Sequence, residues 1–209
     1  MKILIIKHGS LGDLVLSFGA IKTLNHHYSN DDLYLLTQSN YKNIFIKLPY
    51  VKEILIDNRL SIIQSIINYL KIIKKNKFDL VVDLQNSNRT QIYHFFTRVF
   101  TNTQILSARK FSNIKYQQKT LGVQHITQNH KDQLSKLNIH KYFSPDLSWM
   151  SLKKTHKSNY VIMIPGASKT GSYKKWPTQK FAKIAKHLID KKLDVYLTGS
   201  QLDLSLIHI

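Results

Sequence analysis

Lys2-Ile3-Leu4-Ile5-Ile6-Lys7, followed by His8-Gly9-Ser10-Leu11-Gly12-Asp13, is an apolar strand-like run that breaks into a glycine-bearing loop and then into helical spacing. Strand, tight loop and helix start, in that order, open a parallel α/β sheet, whose ligands sit at the carboxyl ends of the strands. A helix N-terminus placed there offers free N–H donors to anions. Asp13 is the one carboxylate of this stretch.

Outward from this opening, short apolar runs alternate with helical patterns. Strands are expected near 2–7, 33–37, 53–56, 79–84, 160–164 and 194–198, and helices near 13–27, 60–76, 88–100, 127–137 and 178–191. Such alternation predicts an α/β fold with a mainly parallel sheet. Periodicity is weakest between Thr101 and Gln124. A polar, Lys-rich stretch from Ser151 to Asn159 reads as a linker, so a domain boundary is expected there, giving domains 1–150 and 151–209. In the helix near 60–76, polar residues Ser61, Gln64, Ser65, Asn68, Lys71 and Lys75 occupy one stripe and isoleucines cover the remainder. The apolar face is wide enough for a core helix against the sheet; an edge that touches a membrane, helped by Lys71, Lys74, Lys75 and Lys77, is the sharper reading.

The chain of 209 residues, 43% hydrophobic, can bury one good core, or one domain and part of another. It has no Cys, which removes disulfides and thiolate metal sites and fits a reducing compartment. The first apolar run is five residues long, too short for a signal peptide, and no run approaches the roughly 20 residues of a membrane span. The chain reads as cytoplasmic. A net charge of +19 suits a nucleic-acid-binding α/β domain, yet only Arg59, Arg89, Arg98 and Arg109 are arginines and the lysines are scattered. An acidic small substrate or an anionic membrane face accounts for the charge equally well.

Cofactor motifs fail in detail. The dinucleotide fingerprint lacks its first glycine, since position 7 is Lys, and Asp31 and Asp32 precede the second strand at the wrong end for a ribose. Gly166-Ala167-Ser168-Lys169-Thr170-Gly171-Ser172 has the glycine spacing of a phosphate loop but Ser172 in place of the essential Lys. It still reads as an anion loop, with Lys169, Lys174 and Lys175 beside it. His26 and His27 are adjacent and face apart on a helix, while His125 and His130 miss the i,i+4 spacing, so no metal site is expected.

Two strand-loop-helix anion sites, one in each half, suggest two Rossmann-like domains. The opening stretch through Asp13, then Asp79-Leu80-Val81-Val82-Asp83-Leu84-Gln85 with Arg89, Pro165-Gly166-Ala167-Ser168, and Lys174-Lys175-Trp176-Pro177 with Phe181-Ala182 together resemble the ADP-heptose:lipopolysaccharide heptosyltransferases, glycosyltransferase family 9. The resemblance implies a GT-B fold, with a complete acceptor-binding domain and the first β-α-β of a nucleotide-sugar-binding domain. It implies an inverting, metal-independent transfer of heptose from ADP-heptose to the lipopolysaccharide inner core, without a cofactor. Asp13 would be the general base, Lys174 and Ser168 would lie near the donor phosphates, and Gly9, Ser10, Gly12 and Arg89 would belong to the acceptor side. The bland readings are a helix N-cap for Asp13 and a solvated surface lysine for Lys174. A family relative using another sugar is the alternative among enzymes. Peripheral contact with the inner membrane fits the acceptor; nucleic acid is not expected as a partner.

The family continues for well over a hundred residues beyond Ile209, so the resemblance implies a C-terminal truncation and a fragment without turnover. Leu204-Ser205-Leu206-Ile207-His208-Ile209 is also the translation of a transposon end, CTGTCTCTTATACACATC, so residues 204–209 are expected to be non-native. An open sheet edge in such a fragment favours aggregation.

Overall fold

The protein is described here by a computed structural model covering residues 1–58, 60–119, 124–150, 159–167, 173 and 175–199. The chain divides into two units, Met1–Leu152 and Lys153–Ile209.

In the first unit β1 (Lys2–Ile6), α1 (Leu11–His27) and β2 (Asp32–Thr37) lead through a short 3-10 turn into α2 (Lys42–Phe45) and β3 (Glu53–Ile56). Then come α3 (Ile62–Asn76), β4 (Leu80–Asp83), α4 (Asn88–Phe100), β5 (Gln104–Ser107), β6 (Ile114–Lys115) and α5 (Ile126–Leu134). All strand pairs are parallel, and the spatial order is β3-β2-β1-β4-β5-β6. The order reverses at β1. Neighbouring connections therefore leave β1 and β4 in opposite directions, which opens a crevice beyond their carboxyl ends.

The unbroken apolar run of β1 has a direct cause. Ile3 and Ile5 pack into one cluster with Leu14, Phe18 and Ile21 of α1, while Leu4 and Ile6 pack into a second with Tyr69, Ile73 and Tyr93 of α3 and α4. A central strand covered on both faces needs no polar alternation. Each fully buried side chain of this kind contributes about 1.5–3 kcal/mol.

Where the sequence pattern was weakest, between Thr101 and Gln124, the structure forms β5 and β6, which complete one side of the sheet. They have four and two residues, too few to show a period. α1 begins two residues earlier than expected, with Ser10 as its N-cap, and α5 tightens at Ser135 into a 3-10 turn that ends at left-handed Asn138. α4 starts with a capping box: Thr90 N donates to Ser87 Oγ, and Ser87 N donates to Thr90 Oγ1. Asp31 and Asp32 lie at the amino end of the sheet, where they pair with the Met1 amine and with Lys52 (2.6 Å).

α3 departs from the core-helix expectation. Its buried stripe is Ser65, Tyr69 and Ile73, whereas Ile62, Ile63 and Ile67 are exposed. Among the described residues no helix is long and apolar enough to cross a membrane.

Among the described residues the second unit forms a β-α-β: β7 (Tyr160–Met163) pairs in parallel with β8 (Asp194–Leu197), joined through α6 (Thr178–Asp190). Pro177 is the N-cap of α6, and Trp176 packs edge-on against Phe181 at 5.1 Å. Tyr160, Ile162, Tyr196 and Ile184 are exposed.

Two features carry stability predictions. Gly9 has φ +139°, and a Cβ there would lie 2.7 Å from the Tyr41 ring; beyond its own helix, a Cβ on Gly12 meets no described atom within 4 Å. Gly9→Ala should cost about 2 kcal/mol in urea unfolding, and Gly12→Ala should cost nothing or gain up to about 1 kcal/mol. Equal effects would contradict this loop geometry. His130 of α5 is buried, and its pKa falls to about 3 through burial first, then through Lys7 and His125. The unfolded chain binds this proton near pH 6.5 and the folded chain does not, so stability is fullest above 6.5 and declines as pH falls toward 3. At pH 5 the loss should be on the order of 2 kcal/mol. His130→Gln should flatten the decline between pH 7 and 5; an unchanged slope would assign it to other groups.

Candidate active site at the carboxyl end of the sheet

Hydrogen bonds keep the strands joined at their tips: Lys7 N donates to Leu36 O, and Leu84 N donates to Ile6 O. Beyond them the opening loop turns into α1. Ser10 holds the N-cap position with extended backbone, but its hydroxyl oxygen accepts no first-turn N–H and its proton is donated to Asp13 Oδ2 at 3.3 Å. Asp13 is therefore not the N-cap. It sits in the first turn with its carboxylate exposed at the crevice.

Beneath it lies a buried cation. The Lys7 side chain is 3% exposed, and Nζ donates to Leu84 O at a long 3.4 Å. Burial lowers the Lys7 pKa, while the Asp13 and Asp83 carboxylates pull it back up.

A second buried chain of polar groups ties the loop to the neighbouring strand end and to α4. The His8 N–H donates to Gln85 Oε1 (3.1 Å), and His8 Nε2 lies 3.0 Å from Asp57 Oδ2, a close contact whose angle falls short of a hydrogen bond. Tyr93 donates its hydroxyl proton to the same Asp57 oxygen at 2.5 Å. Burial, and then Asp57, push the Tyr93 phenol up to about 12. Arg89 reaches the Tyr93 hydroxyl and donates through Nη1 to Ser65 Oγ at 2.8 Å.

On the β4 side, Asp83 Oδ1 accepts the N–H groups of Gln85 and Asn86, both at 2.9 Å. Burial works to raise the Asp83 pKa, but the His94 ring, the Thr90 hydroxyl and the Asn86 amide outweigh it and hold the carboxyl below its usual range. Asn86 adopts a left-handed conformation (φ 48°), tolerable for Asn. Its Oδ1 accepts from Ser107 Oγ and Ala108 N, and its Nδ2 donates to Gln133.

Gly9, Ser10, Gly12 and Asp13 thus share one loop and helix start at the crevice. Arg89, expected to grip an acceptor, is half-buried and bonded within the fold. Ser168 and Lys174 lie outside the described residues. Lys7, His8, Asp57, Tyr93 and Asn86 were not anticipated. A signal for two of them exists: Lys7 and Asp57 directly follow apolar strand runs at the same end of a parallel sheet. An exposed carboxylate on a rigid helix start, backed by a buried ammonium, can take a proton from a hydroxyl placed in the crevice.

The family profile Glycosyltransferase family 9 (heptosyltransferase) matches residues 66–206. A search of curated proteins gave no match. Among solved structures, a glycosyltransferase family 9 protein from Veillonella parvula superposes with a TM-score of 0.78 at 17% identity, over 99% of this chain and 64% of that one. E. coli heptosyltransferase WaaC with ADP-2-deoxy-2-fluoro heptose gives 0.71 at 15% identity, over 99% of this chain and 71% of that one. E. coli ADP-heptose LPS heptosyltransferase II gives 0.70 at 19%, over 99% and 66%. The chain spans about two thirds of the length of these proteins, 64% in the first case, and at such identities the likeness establishes the fold. With the profile covering well over half of the sequence, the chain belongs to glycosyltransferase family 9, the heptosyltransferase family.

Proposed function

We propose that this chain is the acceptor domain and the start of the donor domain of a GT-B glycosyltransferase, inverting and metal-independent, that moves heptose from ADP-heptose to the lipopolysaccharide inner core. The observation that carries the reading is Asp13: an exposed carboxylate in the first turn of α1, at the reversal of strand order, over buried Lys7. Family membership and the fold shared with heptosyltransferase structures support the substrate class.

In the proposed reaction Asp13 accepts the proton of an acceptor hydroxyl as its oxygen attacks C1 of the heptose. The new C1–O bond forms as the C1–O bond to the diphosphate breaks, and ADP leaves with that electron pair. Lys174 and Ser168 are proposed to meet its charge, on the strength of the family motif alone. Gly9, Ser10 and Gly12 line the acceptor side. For Arg89 the proposal is narrower than sequence suggested: with Nη1 committed to Ser65, any grip on acceptor carboxylates or phosphates uses its remaining N–H groups. The acceptor is a membrane glycolipid, so the reading places the protein at the cytoplasmic face of the inner membrane.

Asp13→Asn in the protein encoded by the complete reading frame should lower kcat by roughly 100-fold or more, with both KM values little changed. Unimpaired heptose transfer would remove the assignment. The 209-residue chain alone should release no ADP above background when given ADP-heptose and acceptor; measurable turnover would refute that part. A panel of nucleotide sugars on the complete protein separates heptose from another family donor.

A further inference from the structure

α3 and α4 keep Tyr69, Ile73 and Tyr93 in the core yet carry further large apolar side chains into water. They bury Ser65, Thr90, His94 and Thr97, and expose Ile63, Ile67, Phe95, Val99 and Phe100, each between 43% and 66%. The two helices run side by side in one direction: Arg89 bonds Ser65, the Tyr93 ring stacks on Tyr69 at 4.4 Å, and Lys74 sits over the Phe100 ring at 4.8 Å. The outward apolar groups thus belong to adjacent helices, and contiguous apolar surface of this kind marks an interaction site.

Charge identifies the partner. Neither helix carries an Asp or Glu, while Lys71, Lys74, Lys75 and Arg98 stand at their exposed positions. A second copy of the same face would meet like charge. We infer that the outer face of α3 and α4 is a docking surface for an anionic phospholipid bilayer, with isoleucine, valine and phenylalanine entering the headgroup boundary and the cations facing lipid phosphates. Helices that lie in an interface have this composition, and each surface cation adds roughly fivefold in affinity. The exposed isoleucines of α3 lie in its first two turns, within about 8 Å along the axis, shortly after the strand end that carries Asp57. A bilayer against them therefore reaches the rim of the crevice. The inference requires no sugar transfer and can fail independently of it.

The test uses the chain itself, with vesicles of equal parts phosphatidylethanolamine and phosphatidylglycerol, and phosphatidylcholine vesicles as the neutral comparison. Because the chain contains no cysteine, Ile67→Cys and Lys136→Cys, the latter exposed on the α5 side, each accept one environment-sensitive fluorophore. The label at 67 should shift to the blue and brighten several-fold on anionic vesicles only; the label at 136 should not. Ile63→Ser, Ile67→Ser and Val99→Ser combined, at positions that are exposed, should weaken flotation with anionic vesicles by roughly tenfold or more. Equal responses at 67 and 136, or serine variants that float like the parent, would show attraction by net charge alone and overturn the inference. A blue shift at 67 that depends on protein concentration without vesicles would overturn it too, in favour of a second copy.

Discussion

Ionisable groups buried under the strand ends are the constraint from which the rest of this structure follows. Lys7, His8, Asp57 and Asp83 are each at most 4% exposed, at the carboxyl ends of β1, β3 and β4. Burying such groups is tolerable only where they are paired and hydrogen-bonded, and stranding one member of a buried pair costs about 3–5 kcal/mol. Asp57 is met by His8 and Tyr93, and Asp83 by its own loop N–H groups and the His94 ring. Each partner comes from a different segment, so satisfying these groups also sets the positions of the opening loop, the β4 loop and α4. The exposed carboxylate of Asp13 inherits that rigidity although it belongs to no part of the buried chain.

This arrangement suits proton abstraction. A general base must be aimed before substrate arrives, and a base on the first turn of a helix is aimed by the helix. Asp13 stands in the first turn of α1, exposed, with Lys7 buried at the end of the preceding strand.

The central β1, its loop and α1 were legible because the cause is local: a two-sided apolar strand, then glycine where φ is positive, then helix spacing. β5 and β6 were not, because four and two residues form there by adding to an existing sheet. The polar floor was hidden for another reason. Its contacts join residues far apart in sequence, as Lys7 does with Leu84, and a lone Lys, His or Tyr looks the same in sequence whether solvated or buried. The reading of Asp13 as an N-cap fell to Ser10, three residues earlier in the same loop, which leaves Asp13 as a first-turn carboxylate.

The outward apolar residues of α3 and α4 follow from the same floor. Tyr93 and Arg89 must point inward to reach Asp57 and Ser65, and His94 must point inward to reach Asp83. At 3.6 residues per turn, fixing positions 89, 90, 93, 94 and 97 on the inner side of α4 places 95 and 99 outside. Ser65, Tyr69 and Ile73 do the same to α3 and turn Ile63 and Ile67 to the solvent. A helix committed inward by polar contacts is free to carry apolar residues outward only if something other than water meets them often enough to offset their exposure. The buried polar contacts and the apolar face are therefore opposite sides of one pair of helices, and a change that loosens the former should disturb the latter.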